Sequence, residues 1–166
     1  MGVSASGKST IGRQLAERLG VPFVEGDDFH PASNIARMKA GHPLDDAARE
    51  PWLRGLADWI RHSTRAGQGA VLSCSALKHE YRDLLRAAGP GVCFLYLALD
   101  RETARERISH RPGHFMPARL LDSQYDTLEP LRAEEPGVTI DASAGPGRVL
   151  ELARAAVARC RQGPRG

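Results

Sequence analysis

The sequence predicts an α/β fold in which a parallel β-sheet is covered by helices on both faces. Apolar runs alternate with amphipathic segments along the whole chain. The apolar runs are continuous, as in strands that are buried on both faces of a parallel sheet. The chain opens with MGVSASGKST, which contains the phosphate-loop pattern G-x-x-x-x-G-K-[ST] at Gly2–Ser9.

Spacing and start and stop signals place the elements in chain order. Ile11 and Leu15 lie at helical spacing behind the loop, and Gly20 ends that helix. Pro51 begins a strong helix whose tryptophans and leucines share one face, and Asp100 is a candidate N-cap. The predicted helices cover 9–19, part of 30–46, a segment from 51, 80–88, 101–108, 117–128 and 147–161, and the predicted strands cover 21–28, 70–74, 92–99 and 137–143.

Length and composition indicate one globular domain. At 166 residues, with 42% hydrophobic and 26% charged residues, the chain can bury a core of its own. We expect a single domain over residues 1–160 and a disordered tail at 161–166. The net charge of +3 is interspersed and only 5% of residues are aromatic, so nucleic-acid binding is not expected. No apolar run reaches the roughly 18 residues of a membrane span, so no membrane partner is expected.

The cysteines predict a reducing compartment. Cys74, Cys93 and Cys160 are odd in number and widely spaced, without a C-x-x-C pair. This pattern favours reduced thiols in a cytoplasmic protein over a disulfide framework or a zinc site. Nothing at the N-terminus resembles a signal peptide, because the phosphate loop is there.

The phosphate loop predicts nucleotide binding on a fold of P-loop NTPase type. Its backbone N–H groups and the following helix N-terminus bind the β-phosphate, Lys8 reaches the β- and γ-oxygens, and Ser9 ligates Mg²⁺. The alternative is a chance glycine-rich turn. The predicted nucleotide ligands in the loop are Gly2, Val3, Ser4, Ala5, Ser6, Gly7, Lys8, Ser9 and Thr10.

Two features of the loop are unusual. Ala5 stands where such loops commonly have glycine, and a Cβ at positive φ would cost roughly 1 kcal/mol. Only Met1 precedes the loop, which normally follows a buried strand. Because that strand lies in the middle of the sheet, its loss would open two facing edges. We therefore expect the first strand to be truncated here, and the polypeptide to begin several residues upstream with an apolar stretch leading into Met1.

Acidic residues follow the first complete strand. Ligands of doubly wound sheets lie beyond the carboxyl ends of the strands, so Glu25, Asp27 and Asp28 should face the crevice near the loop. One acid can hold the magnesium shell while another accepts the proton of an attacking hydroxyl. Asp28 could instead cap the N-terminus of the following helix. Further along, SHRPGHFMP predicts a mobile lid at about 109–118 that closes over the nucleotide and excludes water.

Four stretches carry a family resemblance. They are MGVSASGKST, EGDDFHPASNIARMKAGHPLDDAAREPWL, LSCSALKHEYRDLLR and RPGHFMPARLLDSQYDTLEP, and they cover most of the chain. In this order they resemble the gluconate kinases (gluconokinases), small P-loop sugar-acid kinases related in fold to shikimate kinase. The resemblance implies transfer of the ATP γ-phosphoryl group to the terminal hydroxyl of D-gluconate, giving 6-phospho-D-gluconate. It also implies a homodimer.

The resemblance assigns roles to individual residues. Lys8, Asp27 and Arg111 are the implied catalytic residues, with Asp27 as base or hydroxyl anchor. Glu25 joins Ser9 in the magnesium shell, Arg111 contacts the phosphates, and Arg107 lies near the adenine, where a guanidinium can stack on a base.

A polyhydroxy carboxylate also requires cations and hydrogen-bonding partners. Lys39 and Lys78 are notable because the chain otherwise uses arginine for nearly every cation. Arg49 and Arg82 could instead be surface cations, with Arg82 paired with a neighbouring acid. The alternative for His114 is that it shapes the lid without contacting substrate, and the alternative for Gln124 is a position that faces solvent. The implied substrate ligands are Asp27, His30, Arg37, Lys39, Arg49, Lys78, Arg82, His114 and Gln124.

Two other functions stay open from the sequence. One is a different small-molecule kinase, of the shikimate or nucleotide-monophosphate type. The other is a nucleotide-binding module without turnover, impaired by Ala5 and by the missing strand.

Overall fold

Two pairs of parallel strands form the centre of the molecule. The computed structural model describes residues 1–110 and 118–161. Strand β1 (Phe23–Glu25) pairs with β2 (Val71–Ser73), and β3 (Phe94–Ala98) pairs with β4 (Gly137–Asp141). The predicted parallel α/β architecture is confirmed, although the described strands form two separate sheets.

Helices follow the strands in the predicted alternation. Gly20, at φ 64°, ends the first helix, and the Asp100 side chain accepts a hydrogen bond from the Thr103 N–H at the start of the fifth. In the described part of the chain, no helix combines the length and hydropathy that a membrane crossing requires. The helices are α1 (Lys8–Leu19), α2 (Ala32–Lys39), α3 (Asp46–Arg65), α4 (His79–Arg86), α5 (Arg101–Ser109), α6 (Ala118–Thr127) and α7 (Pro146–Arg161), and a 3₁₀ helix (Gly26–Phe29) follows β1.

The start of one helix differs clearly from its prediction. Helix α3 begins at Asp46 and not at Pro51, because the Asp45 carboxylate caps it by accepting from the Ala48 N–H at 2.8 Å. Helix α7 covers Pro146–Arg161, in agreement with the helix predicted over 147–161. Several predictions lie outside the described residues: those for Arg111 and His114, most of the lid, and the tail from residue 162.

Two apolar clusters fill the space around the strands. In one, Ile11 and Leu15 of α1 pack with α7 and with Leu97 of β3. In the other, α3 and α4 supply Trp52 and Leu85. The helices therefore cover both faces of the strands, as the continuous apolar runs predict.

Met1 and Gly2 lie between the two strand pairs. The Met1 ammonium donates to the Leu95 carbonyl at 2.5 Å, and the Leu97 N–H donates to the Met1 carbonyl at 2.9 Å. On the other side, the Gly2 N–H donates to the Ser75 carbonyl at 3.2 Å, just beyond β2. The start of the phosphate loop is thus tied to both pairs.

The prediction of three reduced thiols is wrong for Cys93 and Cys160, which form a disulfide. The fold brings the residue before β3 to the end of α7, with 6.3 Å between the two Cα atoms, inside the range that a disulfide spans. Their separation of 67 residues hides this proximity in the sequence. Cys74 is free and buried in the core, and burial raises the pKa of its thiol to about 12.

Arg82 contradicts its predicted role as a substrate ligand or surface cation. It is fully buried in α4, and its Nε and Nη2 donate to the Glu135 carboxylate at 2.5 and 2.8 Å. Hydrogen bonding from Arg82 is the main cause that lowers the pKa of Glu135 to about 2. The remaining donors hold the chain around α4 by binding the carbonyls of Ala76, Leu77, Glu129 and Pro130.

We predict that Arg82→Met lowers the free energy of unfolding by roughly 3–5 kcal/mol, because it leaves a buried carboxylate without its partner. Arg86→Met is the matched control, since Arg86 lies on the same helix in an exposed pair with Asp83 at 2.7 Å. That change should cost less than about 1 kcal/mol. Urea denaturation measures both, and equal losses would contradict the anchoring role.

Candidate active site

The phosphate loop has a conformation that requires glycine at two positions. Gly2 has φ 140°, and a Cβ there would lie 2.7 Å from the Leu97 carbonyl oxygen of β3. Gly7 has φ 89° and caps α1, which begins at Lys8. The first N–H groups of a helix lack intrahelical acceptors and attract anions. The loop therefore presents backbone donors where a phosphate would lie.

Ala5 has φ 63° and so adopts a left-handed conformation. This agrees with its place in the loop, where glycine is common. Its carbonyl accepts from Arg107 Nη1 at 3.4 Å, and Nη2 of the same guanidinium donates to the Ala142 carbonyl at 2.8 Å. Arg107 thus joins the phosphate loop to the segment after β4. This position is compatible with its predicted place beside the nucleotide base.

Lys8 lies between the loop and the acidic residues. Its Nζ donates to the Val3 carbonyl at 2.8 Å. Its charge opposes the rise that desolvation causes in the pKa of Asp27, so the ammonium and that carboxylate are close enough to interact. The structure therefore brings together the lysine and the acid that the sequence proposes for catalysis.

Asp27 lies in the 3₁₀ turn (Gly26–Phe29) that follows β1. Desolvation among surrounding protein atoms is the main cause that raises the pKa of Asp27, although its side chain keeps contact with solvent. Glu25 and Asp28 raise it further by like-charge repulsion. Glu25 is oriented by the Ser73 hydroxyl, which donates to it at 2.7 Å. A carboxylate with a raised pKa binds a proton more readily, which suits a base.

Trp52 is a residue whose contribution the sequence does not predict. Its Nε1 donates to the Gly26 carbonyl at 2.7 Å and so holds the turn that carries Asp27. Its ring stacks on His30, with centroids 4.4 Å apart and planes 11° apart. Burial, and then the charge of Arg49, lowers the pKa of His30 to about 4, so the imidazole is neutral at pH 7.

A polar cluster lies where α3 meets α4. Lys78 Nζ pairs with the Asp46 carboxylate at 2.6 Å, and the Tyr81 hydroxyl donates to the same carboxylate. The guanidinium of Arg49 lies 5.8 Å from the centroid of the Tyr81 ring, and its Nε donates to the Leu44 carbonyl at 3.2 Å. Asp46 and Tyr81 were not predicted, because the acidic pair at 45–46 is equally typical of a helix cap.

Other predicted substrate ligands lie elsewhere. Arg37 is exposed and 4.0 Å from the Asp45 carboxylate, and Lys39 is exposed at the end of α2. Gln124 contacts the phosphate loop, because its Oε1 accepts from the Ser4 N–H at 2.7 Å. Gln124 can therefore bind substrate hydroxyls only after its hydrogen bond to the Ser4 N–H is broken.

Comparison with known proteins identifies the family. A family model described as an AAA domain matches residues 1–131. The gluconokinase of Gluconobacter oxydans is 46% identical over 151 residues, covering 91% of this chain and 85% of the relative. The thermosensitive gluconokinase of Escherichia coli is 44% identical over 163 residues, covering 98% and 87%. The crystal structure of a gluconokinase from Sinorhizobium meliloti is 42% identical with a TM-score of 0.89, covering 98% and 91%.

We predict that Ala5→Gly raises the free energy of unfolding of the ligand-free protein by roughly 1 kcal/mol, because glycine removes the Cβ strain at positive φ. Thermal unfolding should then shift upward by about 3 °C. Ala155→Gly, at an exposed position in α7, is the control and should be destabilising by roughly the same amount. A loss of stability in both variants would contradict the strain at Ala5.

Proposed function

The chain belongs to the gluconokinase family of P-loop kinases, and we propose how its residues carry out the family's reaction. The enzyme uses ATP to phosphorylate gluconate. The terminal hydroxyl of D-gluconate attacks the γ-phosphorus, giving 6-phospho-D-gluconate and ADP. The observation that carries the proposal is the interaction of the Lys8 charge, in the phosphate loop, with the Asp27 carboxylate, whose pKa is raised.

ATP binds along the phosphate loop. The backbone N–H groups of the loop and of the first turn of α1 hold the β-phosphate, and Lys8 exchanges the Val3 carbonyl for phosphate oxygens. Arg107 lies beside the adenine, supported by its bond to the carbonyl of Ala142. The guanidinium of Arg111 compensates negative charge on the transferred phosphoryl group.

The site suits Mg²⁺ by the chemistry of its donors. Ser9 supplies a hydroxyl at the start of α1 and Glu25 a carboxylate at the end of β1. Mg²⁺ prefers oxygen ligands and is usually held by one or two protein groups together with phosphates and water. When bound, the ion neutralises charge on the phosphate oxygens. Over residues 1–110 and 118–161, no group of three or more His, Cys, Asp or Glu side chains is placed to hold a metal.

Asp27 accepts the proton of the attacking hydroxyl. A new bond forms between the terminal oxygen of gluconate and the γ-phosphorus, while the bond from that phosphorus to the β–γ bridging oxygen breaks. The electron pair leaves with ADP, and the hydroxyl proton goes to the Asp27 carboxylate. Lys8 stays beside both groups and balances the charge on the transferred phosphoryl.

Gluconate binds between the turn after β1 and the cluster of α3 and α4. Arg49 and Lys78 attract its carboxylate, with Arg37 and Lys39 as additional cations near the entrance. Neutral His30 can donate to or accept from a hydroxyl. Because bound phosphate competes for the Ser4 N–H, Gln124 is released from the loop and its amide becomes available to substrate hydroxyls. His114 contacts the substrate from the lid.

The enzyme acts as a homodimer in the cytoplasm. The homodimer rests on the family resemblance alone, and the cytoplasmic location is the expectation from the sequence. Nucleic acids and membranes are not among its partners.

We expect coupled ADP release with D-gluconate and not with shikimate or nucleoside monophosphates. Asp27→Asn should lower kcat by roughly 10²–10⁴-fold, because the proton acceptor is lost. Asp28→Asn is the control, since it removes the neighbouring carboxylate in the same turn, and its kcat should change little. ATP binding without turnover on any acceptor would instead favour a non-catalytic nucleotide-binding module.

We predict that Arg49→Ala raises the KM for gluconate by roughly 10–100-fold, because a charge-assisted hydrogen bond to the carboxylate is lost. The KM for ATP should change little. Arg54→Ala is the matched control, because Arg54 lies on the same helix in an exposed pair with Glu50. If both variants raise the KM for gluconate alike, the assignment of Arg49 is wrong.

A further inference from the structure

The indole of Trp52 contacts both ends of the turn that carries Asp27. Its Nε1 donates to the carbonyl of Gly26, where the 3₁₀ helix begins, at 2.7 Å. Its ring stacks on His30, directly after the 3₁₀ helix, with 4.4 Å between the ring centroids. A single side chain thus holds the backbone before Asp27 and the imidazole after it.

Trp52 is itself held in place by the apolar core. It is 1% exposed and belongs to the cluster that α3 and α4 share, together with Leu56 of its own helix and Leu85 of α4. Close packing of this kind restricts both torsions of an indole side chain. A buried indole N–H needs an acceptor, and the Gly26 carbonyl supplies one. The N–H therefore has a fixed position relative to α3.

Strand β2 limits the same turn. A Cβ at Gly26 would overlap with the Ser73 carbonyl oxygen, so the backbone of the turn lies directly against β2. The Ser73 hydroxyl donates to Glu25 at 2.7 Å, directly before the turn. Displacement of the turn would leave the buried Trp52 N–H without its acceptor, which is unfavourable for a desolvated donor. Contacts from β2 and from α3 therefore confine the turn together.

The transfer of a proton from a substrate hydroxyl tolerates little displacement of its acceptor. The accepting oxygen must lie about 2.6–3.2 Å from the hydroxyl oxygen, and a misplacement of about 1 Å can cost roughly 100-fold in rate. Asp27 has a short side chain on the 3₁₀ turn, so its carboxylate moves whenever that backbone moves. A group that fixes the turn therefore acts on the rate of the chemical step.

We propose that Trp52 is a positioning residue for phosphoryl transfer, whose N–H fixes the turn at Gly26 and whose ring fixes His30. The inference rests on the proposed roles of Asp27 as proton acceptor and of His30 as a gluconate ligand. Trp52 does not contact the reacting atoms in this scheme. Its N–H acts on kcat through Asp27, and its ring acts on the KM for gluconate through His30.

Trp52→Phe tests the N–H, because phenylalanine keeps an aromatic face for His30 but has no donor for the Gly26 carbonyl. We expect kcat to fall roughly tenfold, as for the loss of one hydrogen bond. The KM values for gluconate and ATP should each change by less than about twofold, because the groups that bind both substrates remain. A rise in the KM for gluconate as large as the fall in kcat would overturn the separate roles of N–H and ring.

Trp59→Phe is the matched control. Trp59 lies on the same helix, about two turns beyond Trp52, and is half-buried. Its replacement removes the same atoms from α3, and kcat should stay within about twofold of the parent value. Equal losses of kcat in the two variants would overturn the proposal, because the effect would then come from general loosening of α3.

A double-mutant cycle with Asp27→Asn separates the inference from the proposed function. In the Asp27→Asn chain, Trp52→Phe should lower kcat by less than about twofold further, because the group that it positions is already lost. A full tenfold further loss would overturn the proposal. Impaired Asp27→Asn together with a normal Trp52→Phe would overturn the inference alone. An Asp27→Asn chain with normal kcat would overturn the role of Asp27, and the inference with it.

An isosteric replacement tests the same N–H without a change of volume. The sequence contains two tryptophans, so Trp52 is the only one left in the Trp59→Phe chain. Production of that chain in a tryptophan auxotroph supplied with benzothienylalanine puts sulfur where the indole N–H of Trp52 is. The fused rings stay, so stacking on His30 is kept. We expect the same roughly tenfold fall in kcat relative to the Trp59→Phe chain, and an unchanged kcat would overturn the proposal.

Discussion

The hydrogen bonds of Met1 and Gly2 to both strand pairs are the constraint on which the site depends. Leu95 and Leu97 hold Met1 from β3, while Ser75 holds Gly2 from the end of β2. The acids follow β1, which pairs with β2, so the distance from the phosphate loop to the acids is set through these bonds. A shift of either pair would separate the donor half of the site from the acceptor half.

Charge balance explains why the acids and the lysine are close together before any ligand is present. Glu25 at the end of β1 and Asp28 in the turn repel the Asp27 carboxylate, and this repulsion adds to desolvation in raising the pKa of Asp27. Lys8 opposes this shift and favours the ionised carboxylate, which is the form that can accept a proton. In the proposed mechanism Lys8 turns to the phosphates, and its stabilisation of the Asp27 anion weakens. The affinity of Asp27 for a proton then rises at the moment when the hydroxyl must lose one.

The sequence predicts those parts of the site that local patterns encode. The phosphate loop and the caps at Gly20 and Asp100 depend on residues close in the chain, and the structure has them as predicted. Contacts between distant residues are different. Arg82 and Glu135 are 53 residues apart, and nothing near either shows that both are buried. The sequence does not predict the disulfide of Cys93 and Cys160 for the same reason, because only the fold brings the residue before β3 to the end of α7.

The pairing of Lys78 with Asp46 bears on how the acceptor half of the site can be both stable and selective. A lysine held at 2.6 Å from a carboxylate has a counter-ion before substrate arrives, so the folded protein does not concentrate unpaired cations beside Arg49. Asp46 stays largely exposed, so water can solvate its carboxylate when Lys78 leaves it. At the proposed site, a substrate carboxylate would replace Asp46 as the partner of Lys78, whereas a neutral sugar could not. Exchange of one carboxylate for another would thus favour sugar acids over uncharged sugars without any steric filter.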